Sequence, residues 1–139
     1  MCCAMSGHTW VSTPVLQYRL GQFTLLPVVV GDIAPKQLLR LLRPLVQDPA
    51  TLLIVSSDLS HYRSYQEAKA QDTMTLAQIM ALEATLTPEQ ACGSVAVNGA
   101  LLLAARQAWR PRLLGQHNSG DISGEKLRVV GYASLAFYA

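Results

Sequence analysis

Thr51-Leu52-Leu53-Ile54-Val55-Ser56-Ser57-Asp58-Leu59-Ser60-His61-Tyr62 is the stretch on which the reading of this chain turns. Its first half is aliphatic and β-branched; its second half passes abruptly into hydroxyls, a carboxylate and an imidazole. An apolar run without polar alternation predicts a strand buried on both faces, of the kind found in parallel α/β sheets. Such sheets bind ligands just beyond the carboxyl ends of their strands. Ser56, Ser57, Asp58 and His61 therefore stand where chemistry is expected. The same residues also suit a turn or the cap of a following helix.

Upstream, Gln22 to Val30 reads as an apolar strand, with Pro27 marking an edge or a bulge, and Gly31-Asp32 breaks it. A helix follows from Pro35, with Leu38, Leu41, Leu42, Leu45 and Val46 at helical spacing and Arg40 and Arg43 outside. Asp48-Pro49 stops it before the Leu52 to Val55 strand. Strand, helix and strand in that order predict a βαβ unit with parallel pairing. Downstream, a long helix is expected from Tyr65 to about Ala84, interrupted by Thr85 to Pro88. A second helix, from about Val95 to Trp109, is rich in Ala and Leu and suited to a place inside the core. Two strands, near Arg112 to Gln116 and Arg128 to Tyr138, flank the turn-forming Ser119 to Gly124. The expected fold class is α/β: a mixed sheet containing a βαβ unit and flanked by helices.

The chain has 139 residues, half of them apolar and 14% charged, which suits one globular domain with a real core. A net charge of +2, with the arginines spread over helix faces and termini, argues against a nucleic-acid partner. No apolar run approaches the roughly 18 residues of a membrane span, and no basic leader precedes an apolar core. A cytoplasmic, reducing location and no membrane partner are expected. Three cysteines, Cys2, Cys3 and Cys92, do not make a disulfide framework.

The sequence holds no G-x-G-x-x-G, P-loop, H-E-x-x-H or C-x-x-C pattern, and no G-x-S-x-G elbow for a serine hydrolase. The remaining chemistry-bearing groups are His8, the Asp58/His61 pair and Cys92, which precedes a helix. Imidazole, thiolate and carboxylate together suit iron, copper or zinc better than magnesium. Each also has a plainer use. Cys92 suits a small core position, His61 a hydrogen-bonded strand end, and His8 an exposed terminus.

Four blocks carry a resemblance to a known family. They are Gly7-His8-Thr9 through Gly31, Ser56-Ser57-Asp58-Leu59-Ser60-His61-Tyr62, Cys92-Gly93, and Ser119-Gly120-Asp121 through Val129-Val130-Gly131-Tyr132-Ala133. In order and spacing they resemble the C-terminal portion of the Memo-like family, also called AmmeMemoRadiSam system protein B. The resemblance implies a fold related to the class III extradiol dioxygenases, an α/β sandwich around a metal-type pocket. It places His8 and Cys92 on metal ligands and Asp58 and His61 on the acidic and imidazole groups of the same pocket. Iron or copper is the implied cofactor.

Members of that family are about twice this length, and their N-terminal half supplies a further ligand histidine. The expectation is therefore a truncated Memo-like domain over residues 8–139, preceded by a disordered or remnant stretch at 1–7, with an incomplete ligand set. Three functions follow from it. One is metal-dependent redox or dioxygenase-like chemistry, with Asp58 and His61 as proton acceptor and donor. The second is a non-catalytic binding or signalling module, holding an anionic peptide or small molecule with the Ser56 and Ser57 hydroxyls and His61. The third is an inactive truncated relative. Strands deprived of their neighbours become open edges, so self-association or pairing with an N-terminal half is expected as well.

Overall fold

The computed structural model describes residues 8–139, with side chains from Pro14 onward. The elements in chain order are α1 (His8–Leu20), α2 (Pro35–Leu45), β1 (His61–Arg63), α3 (Tyr65–Met80), α4 (Ser94–Arg106), β2 (Arg110–Asn118), α5 (Ser119–Ser123) and β3 (Val129–Tyr138). The fold is mixed α and β, with a three-stranded sheet in the order β1-β3-β2. The expected stretch at 1–7 lies outside the described residues.

Both described strand pairings are antiparallel. β2 and β3 form the long pair, from Arg110 opposite Tyr138 to Asn118 opposite Gly131, with a register shift between Leu113 and Gly115. The helices that follow the expected pattern have identifiable starts and stops. Pro35 opens α2, where its missing N–H costs nothing. At the start of α3 the Glu67 carboxylate accepts both the Ser64 N–H at 3.1 Å and the Ser64 hydroxyl at 2.6 Å. That helix ends at Met80, short of the expected Ala84, because Leu82 turns left-handed at φ 57° and the Glu83 N–H returns to the Gln78 carbonyl at 2.9 Å.

The parallel βαβ unit is the main correction. Among the described residues, 22–30 and 51–59 are not strands, and α1 occupies a stretch for which no helix was expected. A strand is defined by its ladder, and here the main-chain N–H groups of 22–30 and 52–57 have no backbone partner among the described residues. Burial corrects the reading of both faces as well. Leu53 and Val55 are half-buried, whereas Leu52 and Ile54 are 66% and 47% exposed. The run thus lays one edge on the core and leaves the other open.

The core has two centres joined by α4. Leu101, fully buried, packs with Leu59, Leu76, Ile79 and Leu86 under the inner face of β3. Leu103, two residues on, packs with Leu38 and Leu42 of α2. Gly99 permits the close approach of α2, since a Cβ there would lie 2.7 Å from Leu38 Cδ2. Burying an aliphatic side chain of this size stabilises the fold by about 1.5–3 kcal/mol. α4 is thus packed into both centres, through Leu101 on one and Leu103 on the other.

Candidate metal centre

Asp58 lies in the loop before β1, His61 is the first residue of β1, and Cys92 immediately precedes Gly93, the N-cap of α4. Three separate constraints bring them together. The Cys92 N–H donates to the Asp58 carbonyl at 3.3 Å, and Leu59 N–H donates to the Gly131 carbonyl at 2.9 Å. His61 stands opposite Val130 in the β1–β3 pairing. As a result His61 Nε2 lies 3.4 Å from Asp58 Oδ2, with the two side chains 29% and 17% exposed. Donor atoms of Asp58, His61 and Cys92 all lie within 4.8 Å of one another, and all three residues are half-buried. Among the described residues this is the one such group of three.

Ser57 braces the centre from below. Its hydroxyl donates to the Asp58 carbonyl at 2.8 Å, accepts the Gly93 N–H at 2.9 Å, and lies 3.7 Å from Cys92 Sγ. That hydroxyl is thus engaged within the fold, whereas Ser56, the other residue expected to bind an anion, is exposed. Tyr62, next to His61, adopts a left-handed φ of 56°, a conformation uncommon for a bulky side chain and frequent at functional sites. Its ring contacts that of His61 at 5.9 Å between centroids and carries the Arg128 guanidinium at 5.0 Å.

Two contributors escaped the sequence reading. Tyr132 on β3 has its phenol pushed above the usual tyrosine range, first by burial and then by the Asp58 carboxylate. Asp72 on α3 accepts the Ser60 N–H at 3.0 Å from within the core. The Val129-Val130-Gly131-Tyr132 pattern held the only sequence signal for Tyr132; nothing in the local sequence marked Asp72. His8 begins α1, but its side chain lies outside the described residues, and with it the expectation of a ligand there.

The family model for Memo-like protein matches residues 7–136, nearly the whole chain. The chain belongs to the Memo-like family. Curated relatives include the MEMO1 family protein Ta0237 of Thermoplasma acidophilum, 32% identical over 145 aligned positions that cover 94% of this chain and 52% of the relative. A MEMO1 family protein of Aeropyrum pernix is 33% identical, covering 93% of this chain and 52% of the relative. One of Methanosarcina acetivorans is 34% identical, covering 93% and 55%. This Memo-like chain therefore spans about half the length of the curated relatives it matches. No described helix is long and apolar enough to cross a membrane.

Proposed function

We propose that this Memo-like chain carries a transition-metal site at Asp58, His61 and Cys92, of iron or copper type, serving redox or dioxygenase-like chemistry on a small substrate. The observation that carries the reading is the convergence of the three donor atoms within 4.8 Å. Ligands bound at about 2.0–2.3 Å to one ion lie at most about 4.0–4.6 Å apart, so the donor set fits after adjustments of tenths of an ångström. A thiolate with an imidazole and a carboxylate selects a borderline to soft ion over magnesium or calcium.

In this reading Cys92 Sγ is the anchoring ligand and His61 Nε2 lies within reach of the same ion. Asp58 Oδ2, 3.4 Å from that nitrogen, faces the same ion, and the second oxygen of its carboxylate accepts a proton released by the substrate. A bound iron or copper would supply Lewis-acid polarisation of a substrate oxygen and one-electron chemistry. The half-buried setting admits a small molecule on the solvent side while Ser57 and the Asp58 carbonyl fix the protein side.

Metal content of the purified chain tests this, with Cys92→Ala as control. Near-stoichiometric iron or copper, lost in the variant, is the expected result. Well-folded wild-type protein without bound metal, before and after incubation with iron(II) or copper(II), would end the oxidoreductase reading.

The extended residues 22–30 and 51–56 support a proposal about partners too. Leu25, Leu26, Val28, Val29, Leu52 and Ile54 are 47–66% exposed, beside main chain that lacks a ladder. Such edges accept added strands. Pairing there, with a second copy or with a polypeptide matching the half of the relatives this chain does not span, accounts for the exposed apolar surface.

A further inference from the structure

Asp72 is a buried carboxylate, 2% exposed, with no ion pair among the described residues. Burying such a group is costly unless hydrogen bonds compensate it. Its Oδ1 accepts the Ser60 N–H at 3.0 Å, and Ser60 lies between Asp58 and His61 in the chain. Its Oδ2 is packed against the Gly131 α-carbon so tightly that a Cβ on Gly131 would overlap it, with Asp72 Cγ and Oδ1 at 2.6 and 2.9 Å. Gly131 in turn bonds both neighbours of the turn: the Leu59 N–H reaches its carbonyl, and its own N–H reaches the Ser60 carbonyl, each at 2.9 Å. The Ser60 hydroxyl is buried and makes no hydrogen bond among the described residues, so the main chain and not this side chain sets the turn.

We infer that Asp72 is the positioning residue of the Asp58–His61–Cys92 site, and that position 131 is glycine to admit its carboxylate. The segment carrying Asp58 and His61 is gripped from both sides, by β3 through Gly131 and by α3 through Asp72. Asp72 reaches the donor atoms only through the Ser60 amide. Its effect is on the angle and separation of Asp58 and His61 relative to Cys92. This inference rests on the metal reading of the site.

Cobalt(II) titration of the folded chain, followed by thiolate-to-cobalt absorption, tests it. Asp72→Ala is expected to weaken cobalt binding about tenfold, as loss of an outer support does, and to shift the absorption band. Asp72→Asn keeps an oxygen for the Ser60 N–H and restores most of the affinity. Gly131→Ala reproduces the loss, and adding it to Asp72→Ala makes matters no worse, because both break one contact. Ser60→Ala leaves binding unchanged. Wild-type affinity and an unshifted band in Asp72→Ala overturn the inference while leaving the metal reading intact.

Should the wild type bind no cobalt, the metal reading fails and positioning is read from amide exchange alone. Faster exchange confined to Leu59 and Ser60 in Asp72→Ala, with the β2–β3 ladder unchanged, supports a local grip. Unchanged exchange, or acceleration throughout the sheet, overturns it.

Discussion

Ser57 Oγ accepts the Gly93 N–H at 2.9 Å, and through that bond the loop carrying Asp58 is tied to the start of the helix that follows Cys92. The same oxygen donates to the Asp58 carbonyl, so one hydroxyl serves both sides of the centre. Ser57→Ala is expected to cost about 1 kcal/mol in urea unfolding and to loosen the Asp58–Cys92 spacing. A metal affinity that falls by more than stability alone explains would locate the effect at the centre. Gly93→Ala should act in the same direction, because a Cβ there would meet Ser57 Cβ and Oγ at 3.0 Å.

Leu101 joins the helix α4 to the sheet and is completely buried. Leu101→Ala should destabilise the chain by about 2–5 kcal/mol through lost transfer energy and a residual cavity. Chemical denaturation reads this directly. A loss below about 1 kcal/mol, the size of a surface change, would mean that α4 is not the central support.

Asn98 presents a different kind of burial. Its side chain accepts the Leu86 N–H and donates to the Leu86 carbonyl, both at 2.9 Å, fastening the connection between α3 and α4. Asn98→Leu leaves two buried main-chain groups unpaired and is expected to cost about 2–4 kcal/mol in equilibrium unfolding. Hydrogen exchange at Leu86 should accelerate more than exchange in β2.

Asp121 predicts an acid-sensitive corner. The Asn118 N–H and the Tyr65 hydroxyl hold its carboxyl below the ordinary aspartate range, with His117 and Lys69 adding smaller attractions. A depressed folded-state value means the bond stabilises the fold fully above the unfolded value, about pH 4, and that this contribution fades as pH falls through the lower folded value. Tyr65 shifts the opposite way, its phenol raised by the same hydrogen bond, so its contribution is complete below about pH 10 and is lost as pH rises through the raised value. Thermal melts across pH should show both limbs, and Asp121→Asn should flatten the acid limb.

The open edge of residues 51–56 predicts association. Leu52→Lys with Ile54→Lys places charges on side chains now 66% and 47% exposed. Sedimentation should show less self-association than in wild type, with little change in unfolding midpoint. Unchanged association would move the interface elsewhere.

Several parts of this architecture were legible in the linear order of residues. The apolar spacing of α2, the helical stretch from Tyr65 that becomes α3 and the Ala-Leu run of α4 are local signals, and each produces its helix. The two C-terminal strands were legible from composition, and the family from the ordered blocks around His8, Asp58, Cys92 and Asp121. The sequence alone also named Asp58, His61 and Cys92 as the groups with chemistry, because residue type suffices to state what each can ligate or protonate.

Tertiary structure decided what those groups do together. Residues 51–55 have strand composition, but a strand also requires a neighbour to accept its hydrogen bonds, and the described fold supplies none. The 4.8 Å convergence of three donors depends on β3 holding the 59–61 turn and on α4 holding Cys92. Asp72 and Gly131 entered the site by the same route, through contacts between segments far apart in the chain. Local preference is a property of neighbouring residues. A site is a property of distances, and distances are set only when the core has packed.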